Sequence, residues 1–219
     1  MEKISQIVKS ETKVVIFDLD GTLYSKRAMS WRMLCAAPRD WRKMLLERRA
    51  RRALKGKWYG DGDFFYQALF SHIANNSTLS IDEVRRWYTS EYMPLMVHVI
   101  GKYYKPAPWV KSFVNECHQS GIRLVVLSDY GHAKEKLHAL GLELSLFDWV
   151  VSAPELGGLK PAPQLLNWVV EEMGVQPHQC LVIGDREDTD GELARSTNAR
   201  FYHVKHLATC WNCNTGGRR

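Results

Sequence analysis

Short apolar runs, separated by amphipathic stretches, organise this chain from its first strand-like segment onward. Five runs are rich in β-branched or aromatic residues and lack the strict alternation of a strand with one solvated face. Runs of this kind are typical of strands buried on both faces, as in a parallel sheet. The runs that predict strands are residues 13–17, 123–128, 148–152, 180–184 and 200–204.

Helical periodicity lies between the later runs. Apolar side chains recur at intervals of three and four residues over 109–117 and again over 165–173. Gly121 and Gly174 follow these stretches, and glycine is common just past the end of a helix. Strands that alternate with helices predict an α/β fold with a Rossmann-like parallel sheet as its core.

The gap between the first and second predicted strands is too long for a single crossover. About a hundred residues intervene, whereas a parallel connection needs only a dozen or so. This segment is largely helical in pattern, and one of its predicted helices begins at Ser80, a residue type favoured at N-caps. We therefore predict that residues 27–100 form an inserted α-helical cap domain. The α/β core would then consist of residues 1–26 and 101–219.

Acidic residues follow the first and fourth predicted strands. Asp18 and Asp20 come directly after the first strand, and Asp185 and Asp190 come after the fourth. The carboxyl ends of parallel strands meet at one edge of the sheet, where ligands bind in such folds. Like charges held this close repel one another unless a cation lies between them. Hard oxygen ligands with room for a phosphate suit Mg²⁺, so we expect a magnesium site at this edge.

Four short motifs resemble those of the haloacid dehalogenase-like (HAD) superfamily. They occur in the family's order, and their spacing fits members with a helical cap inserted after the first motif. The similarity covers residues 13–26 and about 106–204, whereas the predicted cap matches in position and helical character only. The motifs are DLDGT at 18–22, Ser128 at a strand end, GGLKPAP at 157–163 and GDREDTD at 184–190.

The resemblance implies a role in phosphoryl transfer for each motif. Asp18 would be the nucleophile that attacks phosphorus and forms an aspartyl-phosphate. Asp20 would be the general acid/base that protonates the leaving oxygen and then activates water. Thr22 and Ser128 would donate hydrogen bonds to the phosphate, and Lys160 would neutralise negative charge there. Family dehalogenases lack an acid at the position of Asp20, so its presence favours phosphoryl transfer.

The same resemblance implies a Mg²⁺ site. Asp18, the backbone carbonyl of Asp20 and Asp185 would bind the ion. Asp190 would hold either the water shell of the ion or Lys160.

Three other acids in the motifs have open roles. Asp129 follows Ser128 where the family often has asparagine, and a carboxylate beside a phosphate is unfavourable unless it is paired or turned away. Glu187 and Asp188 lie within the last motif. We expect both to be solvated or to lie behind the metal ligands.

The positive charge of the chain is concentrated in one part of the predicted cap. The formal net charge is +6, and residues 27–60 alone contribute +9. One interpretation of the basic segment, residues 39–57, is a solvated helix face. Nucleic acid or an anionic membrane surface is a less favoured partner, suggested by the mild amphipathicity of this helix. We expect some of these cations to face the site and to attract a substrate with charge beyond the phosphate being removed.

These observations favour a phosphatase that acts on a small phosphorylated substrate with Mg²⁺ as its cofactor. A phosphomutase would use the same core residues and stays open as an alternative. A non-catalytic binding protein that uses the basic cap is a second alternative, which the complete acidic set and Lys160 disfavour. Hydrolysis is the commoner use of this arrangement in the family, so we prefer the phosphatase.

The sequence shows no sign of export or membrane insertion. No apolar run approaches the ~20 residues of a membrane span, and the N-terminus lacks the apolar core of a signal peptide. Five cysteines in a chain of 219 residues do not suggest a disulfide framework. We therefore expect a reducing, cytoplasmic setting.

A second group of possible metal ligands lies near the C-terminus. His203, His206, Cys210 and Cys213 have a spacing that could hold zinc. Against this, His203 falls within the last predicted strand, and the single CxxC has no βαβ unit of its own. We favour the interpretation without a metal and leave the other open.

Overall fold

The centre of the computed structural model, which describes residues 7–207, is a parallel sheet of five strands. The strands are β1 (Val14–Phe17), β2 (Arg123–Ser128), β3 (Trp149–Ser152), β4 (Cys180–Gly184) and β5 (Arg200–His203). They stand in the order β3-β2-β1-β4-β5, and every neighbouring pair is parallel. The ends of each strand lie within one residue of the predicted limits, so the α/β fold and its strands are confirmed.

Most of the chain between β1 and β2 is helical, as its sequence pattern predicts, and five of its α-helices lie between residues 29 and 103. The helices are α1 (Met29–Ala36), α2 (Trp41–Leu54), α3 (Gly62–Ala74), α4 (Ile81–Trp87) and α5 (Met93–Tyr103). Short 3-10 and π-helical turns at Pro38–Asp40 and Tyr88–Tyr92 precede α2 and α5. Ser80 caps α4: its hydroxyl accepts from the Glu83 amide (3.2 Å), and the Glu83 carboxylate accepts from the Ser80 amide (2.8 Å).

The remaining helices cover the sheet. They are α6 (Val110–Gln119), α7 (Ala133–Ala139), α8 (Gln164–Met173) and α9 (Glu192–Ser196). Successive side chains of a strand point to opposite faces. Val15 and Phe17 accordingly belong to the apolar cluster that contains α6 and α7, and Val14 and Ile16 belong to the cluster that contains α8 and α9. None of the helices within residues 7–207 has both the length and the apolar character needed to cross a bilayer.

The inserted helices share their apolar core with one face of the sheet. Buried residues of α3, α4 and α5 belong to the same cluster as Phe17. The predicted cap boundary at residue 100 falls inside α5, which continues to Tyr103. The division into cap and core stays a prediction, and "cap" below means residues 27–100.

The register of the sheet brings three strand ends together. β1 lies between β2 and β4, and Phe17 stands opposite both Val126 and Ile183. The amide of Asp18 donates to the carbonyl of Ile183 at 2.9 Å. The residues that follow β1, β2 and β4 therefore leave the sheet at one edge, below the inserted helices.

Candidate active site

Lys160 is the centre of a buried ionic cluster at this edge. Its ammonium donates to Asp18 Oδ1 at 2.7 Å and to Asp190 Oδ1 at 2.6 Å. Its backbone amide donates to Asp129 Oδ1 at 3.0 Å, so that extra carboxylate is paired. Lys160 and Asp190 are only 2% and 1% exposed. The loop before α8 thus places one cation among carboxylates that follow three different strands.

The cluster sets the charge of Asp18. Burial raises the pKa of Asp18 to about 6, although the Lys160 ammonium lowers it, and the charges of Asp190 and Asp20 add to the increase. Burial would lower the pKa of Lys160, but the carboxylates of Asp18, Asp190 and Asp129 outweigh it and hold that pKa well above its ordinary value. Lys160 therefore stays charged, and at neutral pH Asp18 is ionised, which is the form that a nucleophile needs.

Asp20 has a separate set of partners. The Tyr24 hydroxyl donates to Asp20 Oδ1 at 2.5 Å. The Lys136 ammonium and the Ser128 hydroxyl donate to Asp20 Oδ2 at 2.8 and 3.1 Å. Burial would raise the pKa of Asp20, but the charge of Lys136 and these hydrogen bonds outweigh it and hold the pKa below its ordinary value. In this arrangement Asp20 is held as a carboxylate and is ionised at neutral pH.

Lys136 is a site residue that the sequence analysis missed. It is fully buried on α7, and its ammonium lies 4.9 Å from the centroid of the Tyr130 ring. An unpaired ammonium at this depth would be costly, so the ion pair with Asp20 compensates its burial. The signal for it is the pattern of α7, in which Ala133, Lys136, Leu137 and Leu140 all point inward at helical spacing.

Thr22 and Ser128, which we predict to bind phosphate, both lie in the site. The Thr22 hydroxyl donates to Asp18 Oδ2 at 3.0 Å. The Ser128 hydroxyl is within hydrogen-bond distance of Asp20 Oδ2 and of the Tyr130 carbonyl (2.9 Å). Because a hydroxyl has one proton, a bound phosphate would compete with these acceptors for it. Their contacts with phosphate stay predictions.

Three carboxylates form a group that could hold a divalent cation. Oxygens of Asp18, Asp185 and Asp190 all lie within 4.8 Å of one another, and within residues 7–207 this is the only such group of His, Cys, Asp or Glu. Carboxylate oxygens are the ligands that Mg²⁺ prefers. Gly21 leaves room beside them, since it has φ of 110° and a Cβ there would collide with the Asp185 carboxylate. The residues present therefore fit Mg²⁺.

Lys26 lies against two of the predicted metal ligands. Its ammonium donates to the backbone carbonyl of Asp20 at 2.9 Å and pairs with Asp185 Oδ2 at 2.7 Å. The Lys26 side chain is 43% exposed, so its stem reaches this position from solvent. Lys26 lies four residues beyond the DLDGT motif, so that motif gives no signal for it.

The other acids of the last motif lie outside this group of ligands. Glu187 pairs with Arg195 at 3.1 Å, and Asp188 pairs with Arg186 at 2.6 Å. Both acids are more than half exposed. These positions agree with the expectation that neither acid binds the metal directly.

The second predicted group of metal ligands is only partly described. The rings of His203 and His206 lie 6.2 Å apart between centroids. Cys210 and Cys213 lie outside the described residues. The choice between a zinc site and no metal therefore stays open.

A cavity of about 730 Å³ lies between this edge of the sheet and the cap. The core side includes Asp18, Asp20 and Lys160, and the basic segment borders the other side. Some cations of that segment lie away from the cavity, so the segment is divided between two environments. The basic side chains of this segment that line the cavity are Arg48, Arg51, Arg52 and Lys55.

Arg51 differs from its basic neighbours because it is buried. Its guanidinium donates to the Asp129 carbonyl at 2.6 Å and also to the Glu47 carboxylate and the Tyr88 hydroxyl. It also lies 4.1 Å from the centroid of the Tyr130 ring. Arg51 therefore ties the cap to the loop after β2, and its charge is balanced within the protein.

Comparisons with known proteins agree with this geometry. The family model for haloacid dehalogenase-like hydrolases matches residues 12–196. The chain is 34% identical over 113 residues to Protein SUPPRESSOR OF QUENCHING 1, chloroplastic, of Arabidopsis thaliana, which covers 48% of this chain and 11% of that protein. It is 32% identical over 110 residues to the N-acylneuraminate-9-phosphatase of Rattus norvegicus, which covers 49% of this chain and 41% of that protein. The matched segments thus span less than half of these curated relatives.

The fold matches a solved structure over nearly its whole length. A predicted phosphoglycolate phosphatase from Haemophilus somnus superposes with a TM-score of 0.61 at 20% identity. The match covers 90% of this chain and 89% of that one. The similarity in fold therefore extends over helices inserted between the first two strands of this chain as well as over the sheet.

Proposed function

Because the chain belongs to the haloacid dehalogenase-like hydrolase family, we propose that it is a cytoplasmic, Mg²⁺-dependent phosphatase of a small phosphorylated substrate. The reaction would proceed through an aspartyl-phosphate on Asp18. The observation that carries the proposal is the position of Lys160 between Asp18 and Asp190, with Asp20 held by separate partners. Relatives named as phosphatases support this class of reaction.

In the first half of the reaction, a carboxylate oxygen of Asp18 attacks the phosphorus. The bond from Asp18 to phosphorus forms as the ester bond breaks, and the leaving oxygen needs a proton. Lys160 offsets negative charge on the phosphoryl oxygens. The second pKa of a phosphate monoester is near 6, so the substrate can bring a proton with it. That proton passes to Asp20, whose pKa the phosphate charge raises, and then to the leaving oxygen.

In the second half, Asp20 acts in its ionised form. It accepts a proton from a water molecule, and the water oxygen attacks the phosphorus of the aspartyl-phosphate. The bond to Asp18 breaks, which restores its carboxylate. Asp20 passes its proton to the departing phosphate and returns to its ionised form, and inorganic phosphate is released. Lys136, Tyr24 and Ser128 hold Asp20 in the ionised form from which this half of the reaction starts.

The acids of the site would also hold the metal. Asp18, Asp185 and the backbone carbonyl of Asp20 would bind Mg²⁺, with Asp190 beside them. When bound, the ion supplies positive charge that offsets repulsion between these carboxylates and the phosphate. The removal of the ion should therefore stop the reaction.

The direct test is release of phosphate from a panel of aryl and alkyl phosphates. Purified protein is expected to hydrolyse some of them with Mg²⁺ and to stop when the ion is chelated. Excess Mg²⁺ should restore the rate. A folded, unmodified protein that releases no phosphate from any ester in the panel would contradict the proposal. Transfer of the phosphoryl group to a second hydroxyl of a sugar phosphate, with little release into water, would indicate the mutase instead.

Stabilisation by Mg²⁺ should depend on pH through Asp18. The raised pKa of Asp18, about 6, means that this ligand takes up a proton as the pH falls through 6. Protons and Mg²⁺ then compete, and apparent affinity should fall by up to about tenfold per pH unit below that value. At a Mg²⁺ concentration of 100 Kd, a stabilisation of about 2.7 kcal/mol is expected above pH 7. About half of this stabilisation should be lost at pH 5, where the apparent affinity is about tenfold weaker.

The measurement is thermal unfolding with and without Mg²⁺ between pH 5 and 8. The Asp18→Asn variant is the control, since it cannot undergo this titration. A Mg²⁺-induced shift in Tm that is equally large at pH 5 and at pH 8 in the wild type would contradict the prediction that Asp18 binds the ion and titrates near pH 6.

The exposed cations at the cavity should attract a substrate that carries additional negative charge. Arg48 and Arg52 line the cavity and are exposed. For a multiply charged ester, kcat/KM is expected to fall about tenfold between low and physiological ionic strength, because salt screens charges beyond ~8–10 Å. An Arg48→Gln/Arg52→Gln variant should lose most of this dependence. An ester without the extra charge should show a shallow dependence in both proteins.

The chain offers a matched control for this experiment. Arg39 and Arg49 are exposed in the same segment but do not line the cavity. An Arg39→Gln/Arg49→Gln variant has the same net charge as the test variant and should behave as the wild type does. Equal salt dependence in all three proteins would leave the basic segment as a solvated helix face.

A further inference from the structure

One face of α2 lines the cavity along the whole length of the helix. The residues on this face are three or four positions apart, which is the spacing of neighbours on a helix surface. Their character changes from the start of the helix to its end. In chain order they are Trp41, Met44, Leu45, Arg48, Arg51, Arg52 and, just beyond the helix, Lys55.

The cationic end of this face lies at the catalytic edge. Arg51 donates to the Asp129 carbonyl, and Lys55 pairs with Asp188. At a rise of 1.5 Å per residue, Trp41 is about 15 Å along the helix axis from Arg51. The apolar end of the face is therefore separated from the cationic end by about 15 Å along the helix axis.

Other cap helices add apolar side chains to the wall of the cavity. Met29, Met33 and Leu34 from α1 and Met96 from α5 line the same cavity. Methionine side chains are flexible and adapt to apolar ligands of varied shape. Trp41 and Leu45 are 49% and 40% exposed, so apolar surface is available to a ligand at this end. A phosphate ester of a very small alcohol would contact none of it.

We propose that the substrate is an amphiphilic phosphate monoester whose alcohol carries a long apolar group, and this proposal rests on the proposed phosphatase function. The phosphate would lie at Asp18 and Lys160, and the apolar group would extend along α2 to Trp41, Met44 and Leu45. Any additional anionic group would lie between them, opposite Arg48 and Arg52. A cavity of about 730 Å³ is large enough for such a group.

The first test is a series of linear alkyl phosphates from ethyl to decyl. Because burial of a methylene contributes about 0.8 kcal/mol, kcat/KM should rise about two- to fourfold per added methylene until the apolar end is filled. A flat series, or a preference for the shortest ester, would overturn the proposal while leaving the phosphatase function intact.

A pair of double variants tests where the apolar group of the substrate binds. A Trp41→Gln/Leu45→Gln variant should reduce the ratio of the octyl to the ethyl kcat/KM by at least about tenfold. The control is Trp31→Gln/Leu144→Gln, which changes a tryptophan (65% exposed) and a leucine (41% exposed) that do not line the cavity. This control should keep the wild-type ratio. Equal ratios in both variants would place the apolar group elsewhere.

Binding without turnover separates this proposal from the proposed function. Alkyl phosphonates keep the charge but cannot be hydrolysed, so their Kd can be measured by calorimetry even if the protein releases no phosphate. Kd should fall with chain length in the wild type and in the control variant, and much less in the Trp41→Gln/Leu45→Gln variant. A Kd that does not depend on chain length in the wild type would refute the amphiphilic substrate.

A second, independent inference concerns Lys26. Its ammonium lies within 3 Å of the Asp20 carbonyl oxygen and of Asp185 Oδ2, two of the atoms that would hold Mg²⁺. An ammonium and a divalent cation cannot occupy one position, because they would repel and would need the same oxygens. We infer that Lys26 is a tethered cation that competes with Mg²⁺, and that its partly exposed, flexible stem lets it move away when the ion binds.

The test measures metal binding directly. Calorimetric titration with Mg²⁺ should give a Kd about fivefold or more lower in Lys26→Met than in the wild type, the usual range of a coupling between two sites. Lys111→Met is the control, since it removes the charge of an exposed lysine on α6. It should leave the Kd unchanged. An unchanged or higher Kd in Lys26→Met would overturn this inference.

Discussion

An Asp18→Asn variant is expected to lose turnover by ~10⁴-fold or more. The reason is chemical, because an amide oxygen cannot form and release the acyl phosphate as a carboxylate can. The structure indicates that the variant should fold. The new side chain has the same shape, and its oxygen can still accept a hydrogen bond from Lys160 or Thr22. It also removes a buried carboxylate whose pKa burial has raised.

Three measurements test this prediction. Phosphate release should fall to background, intact-protein mass spectrometry should find no phosphoryl adduct, and circular dichroism should match the wild type. Asp63→Asn is the control, because Asp63 is an exposed aspartate in the first turn of α3. That variant should keep its activity. An Asp18→Asn variant that is fully active would falsify the mechanism.

The acids of the site could be predicted because the motifs that carry them follow buried strands. Asp18 and Asp185 follow two different strands, yet they lie in one group of possible metal ligands. Lys160 lies beyond β3 and a 3-10 turn at Ala153–Leu156, and its place was predicted from the resemblance alone. The sequence identifies β1, β2 and β4 by their apolar runs, and a parallel sheet brings their carboxyl ends to one edge. Side chains that directly follow a strand can therefore be placed without knowledge of the helices.

Lys26 and Lys136 could not be assigned in this way. Each has a long side chain whose ammonium can lie several ångströms from its backbone, so its partner depends on the packing of other elements. Lys136 reaches Asp20 across 116 residues because α7 packs with its lysine face toward the sheet edge. Only the inward position of Lys136 in the pattern of α7 hints at this role.

The burial of one residue in the basic segment could not be predicted from the charge pattern. Its sequence suggests one charged surface, but the structure buries Arg51 (8% exposed) beside Glu47 (0% exposed). Glu47 is the only acid in α2, and it is four residues before Arg51, the spacing of a helical ion pair. That spacing is a usable signal. Which side of the helix faces the core depends on its packing against α3.

Pro94 lies at the start of a helix and not at the end of one. A proline in the interior of a helix usually ends or kinks it. Instead, Pro94 lies in the first turn of α5, directly after the π-helical turn Tyr88–Tyr92. At the start of a helix the missing amide hydrogen of proline is not needed. The chain can therefore continue from α4 to α5, which carries Met96 into the cavity wall.

An Asp20→Asn variant is expected to separate the two halves of the reaction. It removes proton transfer from both, and each transfer typically contributes ~10²–10⁴-fold. A nitrophenyl ester has a good leaving group that needs little protonation, so its first half should proceed. The second half needs a base for water and should be slow. The phosphoenzyme on Asp18 should therefore accumulate.

The variant also leaves the buried ammonium of Lys136 without its counter-charge. Breaking a buried ion pair from one side typically costs 3–5 kcal/mol, so Tm should fall, and kinetics are best measured well below it. An Asp20→Asn/Lys136→Met double variant removes both charges and should recover part of the stability. It should recover none of the activity, because it still lacks the acid/base, and this separates the chemical loss from the structural one.

Rapid-quench kinetics provide the decisive observation for Asp20. With the nitrophenyl ester, the variant should release one equivalent of nitrophenolate in a burst, followed by slow turnover, and mass spectrometry should find one phosphoryl group per chain. With an alkyl phosphate the burst should be absent, because an alkoxide cannot leave without a proton. If the Asp20→Asn variant turns over the alkyl ester at the wild-type rate, another group moves the proton. Turnover of the nitrophenyl ester without a burst would show that Asp20 is not the base for water.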